Sequence, residues 1–253
     1  MTDALESLSV AGPPMKSPKL SHGRTAARPG HSKKKVWRII TVDDHPLVCA
    51  ALASLLNAQP DMTVSAEAGD AEAAMKILPD LRPDLLLLDY SLPGRSGIEF
   101  IKDVRAFDPQ IKIMVLSMHE ESHYAERALR AGAVGYIMKG AGSDTILAAV
   151  RQVLAGGVYL SAELSSRIIG KLAGPLPRSA NSSISQLTDR EFEVFLRFGE
   201  GRDAAEIADN LRISRKTVDV HRANIKKKLR LTSSSALICE AVQWRAAEMT
   251  RGR

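Results

Sequence analysis

Four consecutive leucines, Leu85 to Leu88, constrain this chain more than any other feature. They are bounded by Asp84 and Asp89 and followed by Leu92-Pro93-Gly94. A run that is apolar at every position, not every second one, needs cover on both faces, as an inner strand of a parallel sheet has. Strand-like and helix-like patterns alternate around it. Strands are predicted at 36–42, 62–68, 84–89, 111–116 and 134–138, and helices at 46–58, 71–79, 96–107, 121–131 and 143–155. Five such β-α units predict a doubly wound, five-stranded parallel sheet. Right-handed crossovers then bring all strand carboxyl ends to one edge, where open α/β sheets hold ligands.

Polar residues sit at those ends. Asp43 and Asp44 close the first strand, Asp89 the third, Ser117 the fourth and Lys139 the fifth. Carboxylates beside a lysine make a cation-and-phosphoryl site. Transfer of a phosphoryl group to Asp89 brings two anions together, so a divalent cation must screen them. Mg²⁺ suits hard oxygen ligands. Asp43, Asp44, Asp89 and a backbone carbonyl near Ser91 are the candidate ligands. Lys139 offers a point charge to phosphoryl oxygens, and Ser117 a hydroxyl donor. Positioning and charge neutralisation then carry most of the catalysis. His45 and His119 flank the site without metal-ligand spacing and are read as loop residues.

The rest of the chain differs in composition. Residues 1–35 hold seven Lys/Arg against two acids, with much Ser, Pro, Gly and Ala and no apolar period, and are expected to be a disordered basic arm. Residues 36–184 carry a net −3 and residues 185–253 a net +4, so a basic part that contacts nucleic acid follows an acidic one. After Gly156-Gly157 come a helical run at 161–172 and a linker from Gly174 to Ser183. From there the pattern is helical. Thr188-Asp189-Arg190-Glu191 and Asp203-Ala204-Ala205-Glu206 have the form of capping boxes, Ser214 can cap a third helix, and a fourth covers 233–247. The fold class is therefore α/β plus all-α, divided as arm 1–35, sheet domain 36–155, linker 156–184 and four-helix domain 185–253. Cys49 and Cys239 fit buried free thiols, no apolar run spans a membrane, and the cytoplasm is expected.

Residues 212–230 hold eight Lys/Arg and one acid, Asp219. Phased as a helix, Val218, Ile225 and Leu229 share one face and should be core. Lys216, Val220, Ala223 and Lys227 lie opposite, flanked by Asp219 and Arg230. Small apolar groups among lysines suit a helix in the DNA major groove. The helix at 203–211 and the turn Arg212-Ile213-Ser214 complete a helix-turn-helix.

Asp43-Asp44, Asp89, Leu92-Pro93-Gly94, Ser117 and the stretch Ala131 to Lys139 resemble the receiver domain of two-component response regulators. Leu187 to Glu191, Glu206-Ile207-Ala208 and Ile213 to Leu229 resemble the LuxR-type output domain of the NarL/FixJ type. The resemblance implies a DNA-binding transcriptional regulator, not an enzyme, phosphorylated on Asp89 by a sensor histidine kinase. Ser117 and Tyr136 would relay the change to the fourth and fifth helices. Asp219, Val220 and Ala223 would reach base edges of promoter DNA, with Lys216, Thr217, Asn224 and Lys227 near phosphates. A helix-turn-helix reads a half-site, so a homodimer is expected on phosphorylation, with Ala236, Leu237, Cys239, Glu240, Ala241, Val242 and Trp244 either a pairing face or simply core packing. The chain departs from the commonest pattern at Gly140, where many receivers have proline, at Ser96, often an aspartate, and at Asp219, often a lysine. One rival reading is a regulator that binds DNA without phosphorylation. Another is an aspartyl-phosphate phosphatase, but Asp89-Tyr90-Ser91 lacks that enzyme's usual second acid two residues on.

Overall fold

A computed structural model describes residues 35–118, 121–173 and 183–251. The arm up to residue 34, His119 and nearly all of the Gly174–Ser183 linker lie outside the described residues.

The strands are β1 (Trp37–Val42), β2 (Met62–Ala68), β3 (Leu85–Asp89), β4 (Lys112–Ser117) and β5 (Gly135–Met138). They form one sheet in the order β2-β1-β3-β4-β5, with every pairing parallel. The leucine run is the middle strand, as its continuous hydrophobicity requires. Side chains alternate across a strand, so the run feeds two cores. Leu86 and Leu88 face α2 (Ala71–Leu81), α3 (Gly97–Phe107) and α4 (Glu121–Ala131). Leu85 and Leu87 face α1 (Pro46–Asn57) and α5 (Ser143–Leu154). Each face is covered by helices, which is the doubly wound architecture.

Caps set most helix ends. Asp70 accepts from the Ala73 N–H at 2.8 Å to start α2, and Ser96 accepts from the Ile98 N–H to start α3. Helix α2 runs two residues past the expected end at Pro79. Proline lacks the N–H for one hydrogen bond, but the turn still closes, and the helix stops at Arg82 in the left-handed conformation.

Beyond α6 (Ala162–Ala173), a short 3-10 turn at 183–186 leads into α7 (Asp189–Gly199), α8 (Ala204–Asn210), α9 (Arg215–Leu229) and α10 (Ser234–Arg251). Both capping boxes form. The helical core of Phe192, Phe195, Phe198, Ile207, Val218, Ile225 and Leu237 is continuous with the core on the α3–α4 side of the sheet. This continuity joins the two parts physically.

Candidate functional site: an acidic pocket and a basic helix

The strand ends converge. Asp43 and Asp89 are buried, and Lys139 joins them, its Nζ lying 2.6 Å from Asp43 Oδ2 and 3.0 Å from Asp89 Oδ2. The lysine side chain is itself only 8% exposed. Asp44 sits at the mouth. The Ser91 N–H donates to Asp89 Oδ1 at 3.2 Å and holds the turn after β3 against the pocket. Ser117 is buried at the end of β4, where its carbonyl accepts from the Lys139 N–H at 2.8 Å. Tyr136 is fully buried on β5.

An ion pair alone would lower the pKa of Asp89. Burial outweighs it and pushes the carboxyl above its ordinary value, while Lys139 and the Ser91 N–H pull it back. Burial also opposes the Lys139 charge, but the hydrogen bonds to Asp43 and Asp89 overcome it and raise the lysine. The pocket therefore holds more negative charge than one lysine balances. A hard dication fits that donor set, and Asp43, Asp44 and Asp89 are the residues that would hold it.

His45 lies in the loop after β1, as expected, and its ring contacts the carboxylates. Its ring Nδ1 lies 3.0 Å from Asp43 Oδ1 and 2.8 Å from Asp44 Oδ1. Its spacing in sequence follows no metal motif, because the partners are its immediate neighbours and Asp89 arrives from another strand.

On α9, Val218 and Ile225 are fully buried, while Lys216, Asp219, Val220, Ala223, Asn224 and Lys227 are exposed. Val220, at 52% exposed, is a large apolar group with no cover. Thr217 is half-buried, and its hydroxyl lies 2.8 Å from that of Ser214, the helix cap. Asp219 pairs with Arg222 at 2.8 Å. Lys228 turns inward to Glu191. In α10, Leu237 and Ala241 are core and Trp244 stacks among Tyr124, Phe192 and Phe195. Of the expected pairing face, Cys239, Glu240 and Val242 are exposed, joined by Ile238.

A third cluster was not legible as a site. Arg127 of α4, 11% exposed, donates to Asp189 Oδ1 at 2.9 Å and to the carbonyl oxygens of Ile184 and Leu187. Its guanidinium lies 4.5 Å from the Phe192 ring centre. Lys102 takes the other Asp189 oxygen at 2.8 Å. Tyr90, next to Asp89, packs edge-on against Tyr124, and Tyr124 against Phe192. Gly94, in a left-handed turn that suits glycine, donates its N–H to the Asn210 carbonyl at 2.9 Å. Ser96 bonds the half-buried Glu193, whose carboxyl burial pushes up against the pull of Ser96 and Arg190. An aspartate at 96 would place a second carboxylate there. Its replacement by serine was the one available signal. Asp189 read only as part of a capping box.

Comparison with known proteins bears on both parts. The family model of the response regulator receiver domain matches residues 39–151, and that of bacterial regulatory proteins of the luxR family matches residues 185–241. The chain is 32% identical to the response regulator GacA of Pseudomonas aeruginosa, over 81% of this chain and 95% of that protein. It is 35% identical to the transcriptional activator ExaE of Pseudomonas putida, over 81% and 95%. Among solved structures it is similar to RcsB from Salmonella enterica serovar Typhimurium bound to promoter rprA in the presence of the phosphomimetic BeF3⁻. That match has 26% identity, covers 81% and 97% of the two chains and gives a TM-score of 0.59. Another Salmonella typhimurium RcsB structure gives 0.64 at 26% identity, covering 83% and 98%. Among the described residues, no helix is long and apolar enough to cross a membrane.

Proposed function

This chain belongs to the two-component response regulators that carry a LuxR-type DNA-binding output, and we propose that Asp89 is its phosphoacceptor. The observation that carries this reading is a buried carboxylate held at a strand end by a buried lysine, beside two further carboxylates. In the transfer from a sensor histidine kinase, an Asp89 oxygen attacks phosphorus and the phosphorus–nitrogen bond to the kinase histidine breaks. Lys139 meets the incoming oxygens, and the Ser117 hydroxyl donates to one. Mg²⁺ supplies the remaining positive charge when bound. Asp43, Asp44, Asp89 and the Ser91 carbonyl are the groups that would hold it. Residues 36–155 act as receiver, 156–184 as connector and 185–253 as output, in the cytoplasm with promoter DNA.

The signal then leaves through the turn that follows Asp89. A phosphoryl group draws on Lys139 and disturbs Tyr90 and the turn that carries Gly94 and Ser96. Those residues touch Tyr124, Asn210 and Glu193. Their movement undocks the output helices and frees Trp244. Ser117 and buried Tyr136 repack beneath α4. The released α10 pairs two copies through Ile238, Cys239 and Val242, and two α9 helices read a two-fold site. In each, Asp219, Val220 and Ala223 face bases, and Lys216, Thr217, Asn224 and Lys227 face phosphates.

The test is labelling with acetyl phosphate plus Mg²⁺. Asp89→Ala should abolish it, and Asp44→Ala should remove most metal affinity. Normal labelling of the Asp89 variant would overturn the reading. A second reading rests on the exposed α9 face, which the docked receiver leaves open. DNA binding without phosphorylation would show as unchanged operator affinity in Asp89→Asn.

A further inference from the structure

We propose that His45 is a metal ligand of the Asp89 pocket and tunes it toward first-row dications that accept imidazole, away from strict Mg²⁺ preference. The inference rests on the reading of that pocket as a cation site. One ligand atom each from Asp43, Asp44, His45 and Asp89 lie within 4.8 Å of one another. The ring nitrogen is 2.8 Å from Asp44 Oδ1 and 3.0 Å from Asp43 Oδ1. Octahedral coordination with bonds of about 2.1 Å places adjacent ligands about 3.0 Å apart and opposite ones about 4.2 Å apart. The imidazole thus stands at edge spacing from Asp43 and Asp44, and the four-atom set would contract slightly to close on a cation.

Backbone features hold it there. His45 is the residue before α1, and its side chain caps nothing. Pro46 opens the helix and fixes the chain direction. The His45 N–H donates to Asp43 Oδ1 at 3.0 Å, which bends the ring back over the carboxylates. Lys139 occupies the other Asp43 oxygen on the inner side. The ring, 64% exposed, therefore forms the outer wall of the pocket. Oxygen donors and water suit Mg²⁺, whereas an imidazole adds affinity for cobalt, nickel or zinc and little for magnesium.

The plain rival is that His45 only balances the carboxylates when no cation is bound. The two roles differ in sign. A balancing group competes with every cation, so His45→Gln would raise Co²⁺ and Mg²⁺ affinity alike. A ligand is lost, so His45→Gln should weaken Co²⁺ about tenfold or more and leave Mg²⁺ within about twofold, the size typical of altered metal sites. The experiment is calorimetric titration of the untagged full chain with Co²⁺ and with Mg²⁺, alongside the visible spectrum of the Co²⁺ form. Asp44→Ala identifies the signal that belongs to this pocket. His45→Glu, which offers oxygen for nitrogen, should shift preference toward Mg²⁺ and gives a second folded variant. An unchanged Co²⁺ spectrum in His45→Gln, or an equal gain for both metals, overturns the proposal. If neither metal binds the parent protein at an Asp44-dependent site, the pocket reading itself fails.

Discussion

The Asp89 pocket and the outer face of α9 are both clusters of charge, built in opposite ways. The pocket gathers Asp43, Asp89 and Lys139 from three strand ends and buries them, so each charge depends on its partners. The α9 face takes Lys216 to Lys227 from one helix and leaves them in solvent. Buried charges interact strongly and fail together when one is removed, whereas solvated ones act nearly independently. The pocket is therefore suited to an all-or-none chemical event and the helix to graded, salt-dependent contact. Between them lies the Arg127–Tyr124–Glu193 interface, intermediate in burial, and most ways to break the comparison act there.

After loss of Asp89, the largest effect should come from Arg127→Ala. It removes one of the two cations that hold Asp189, leaving Lys102, and the donor to two backbone carbonyls at once. Hydrogen bonds to charged groups are worth about 1.5–3 kcal/mol, and the closed arrangement should weaken by that order. Small-angle scattering should show a more extended particle without any phosphoryl donor. Burial acts to raise the Asp189 carboxyl, but Lys102 and Arg127 outweigh it and hold it below its ordinary value of 3.8. The contact thus persists above that pH and is lost only on stronger acidification. An unchanged scattering profile would remove Arg127 from the coupling.

Glu193 should respond in the other direction. Burial lifts its carboxyl above the ordinary 4.5 when the parts are docked. The docked form then binds the proton more tightly than the open form. Docking should strengthen as pH falls from neutral through the raised value and gain nothing more below the ordinary one. Glu193→Gln should mimic the protonated state, tighten docking by roughly 1 kcal/mol and erase that pH dependence. Ser96→Asp should loosen docking by setting a carboxylate against Glu193. Small-angle scattering across pH checks both, and equal profiles for parent and Glu193→Gln would refute the role.

Much of this was legible in the sequence for a physical reason. Strand-end positions follow from the sheet's topology once the leucine run marks the central strand, so Asp43, Asp89, Ser117 and Lys139 could be placed without coordinates. The α9 face follows from a local period of 3.6, and Val218 and Ile225 fell inside as that period required. Contacts between the two parts obey neither rule. Arg127 reads as an ordinary surface charge on α4, and only the approach of α7 buries it. The same cause left Leu237, Ala241 and Trp244 undecided in the sequence, since their apolar character fits a pairing face as well as a core. The contact of the His45 ring with Asp43 and Asp44 was not legible, because a histidine next to an acidic pair reads as a plain loop residue.

The smallest effect should be on α9. Lys227→Ala removes one exposed charge, so affinity should fall about equally for every DNA sequence and the log–log salt slope should drop by about 1. A sequence-dependent loss would mean that Lys227 reads bases.

Coupling between Asp89 and the output helices is tested most directly by the fluorescence of Trp244. The ring centre lies 6.1 Å from that of Tyr124 on the receiver side. In a Trp37→Phe background it is the sole tryptophan. Acetyl phosphate with Mg²⁺ should shift its emission to longer wavelength as the ring meets water, and Asp89→Asn should show no shift. Stoichiometric phosphorylation of Asp89 with unchanged Trp244 emission would contradict undocking.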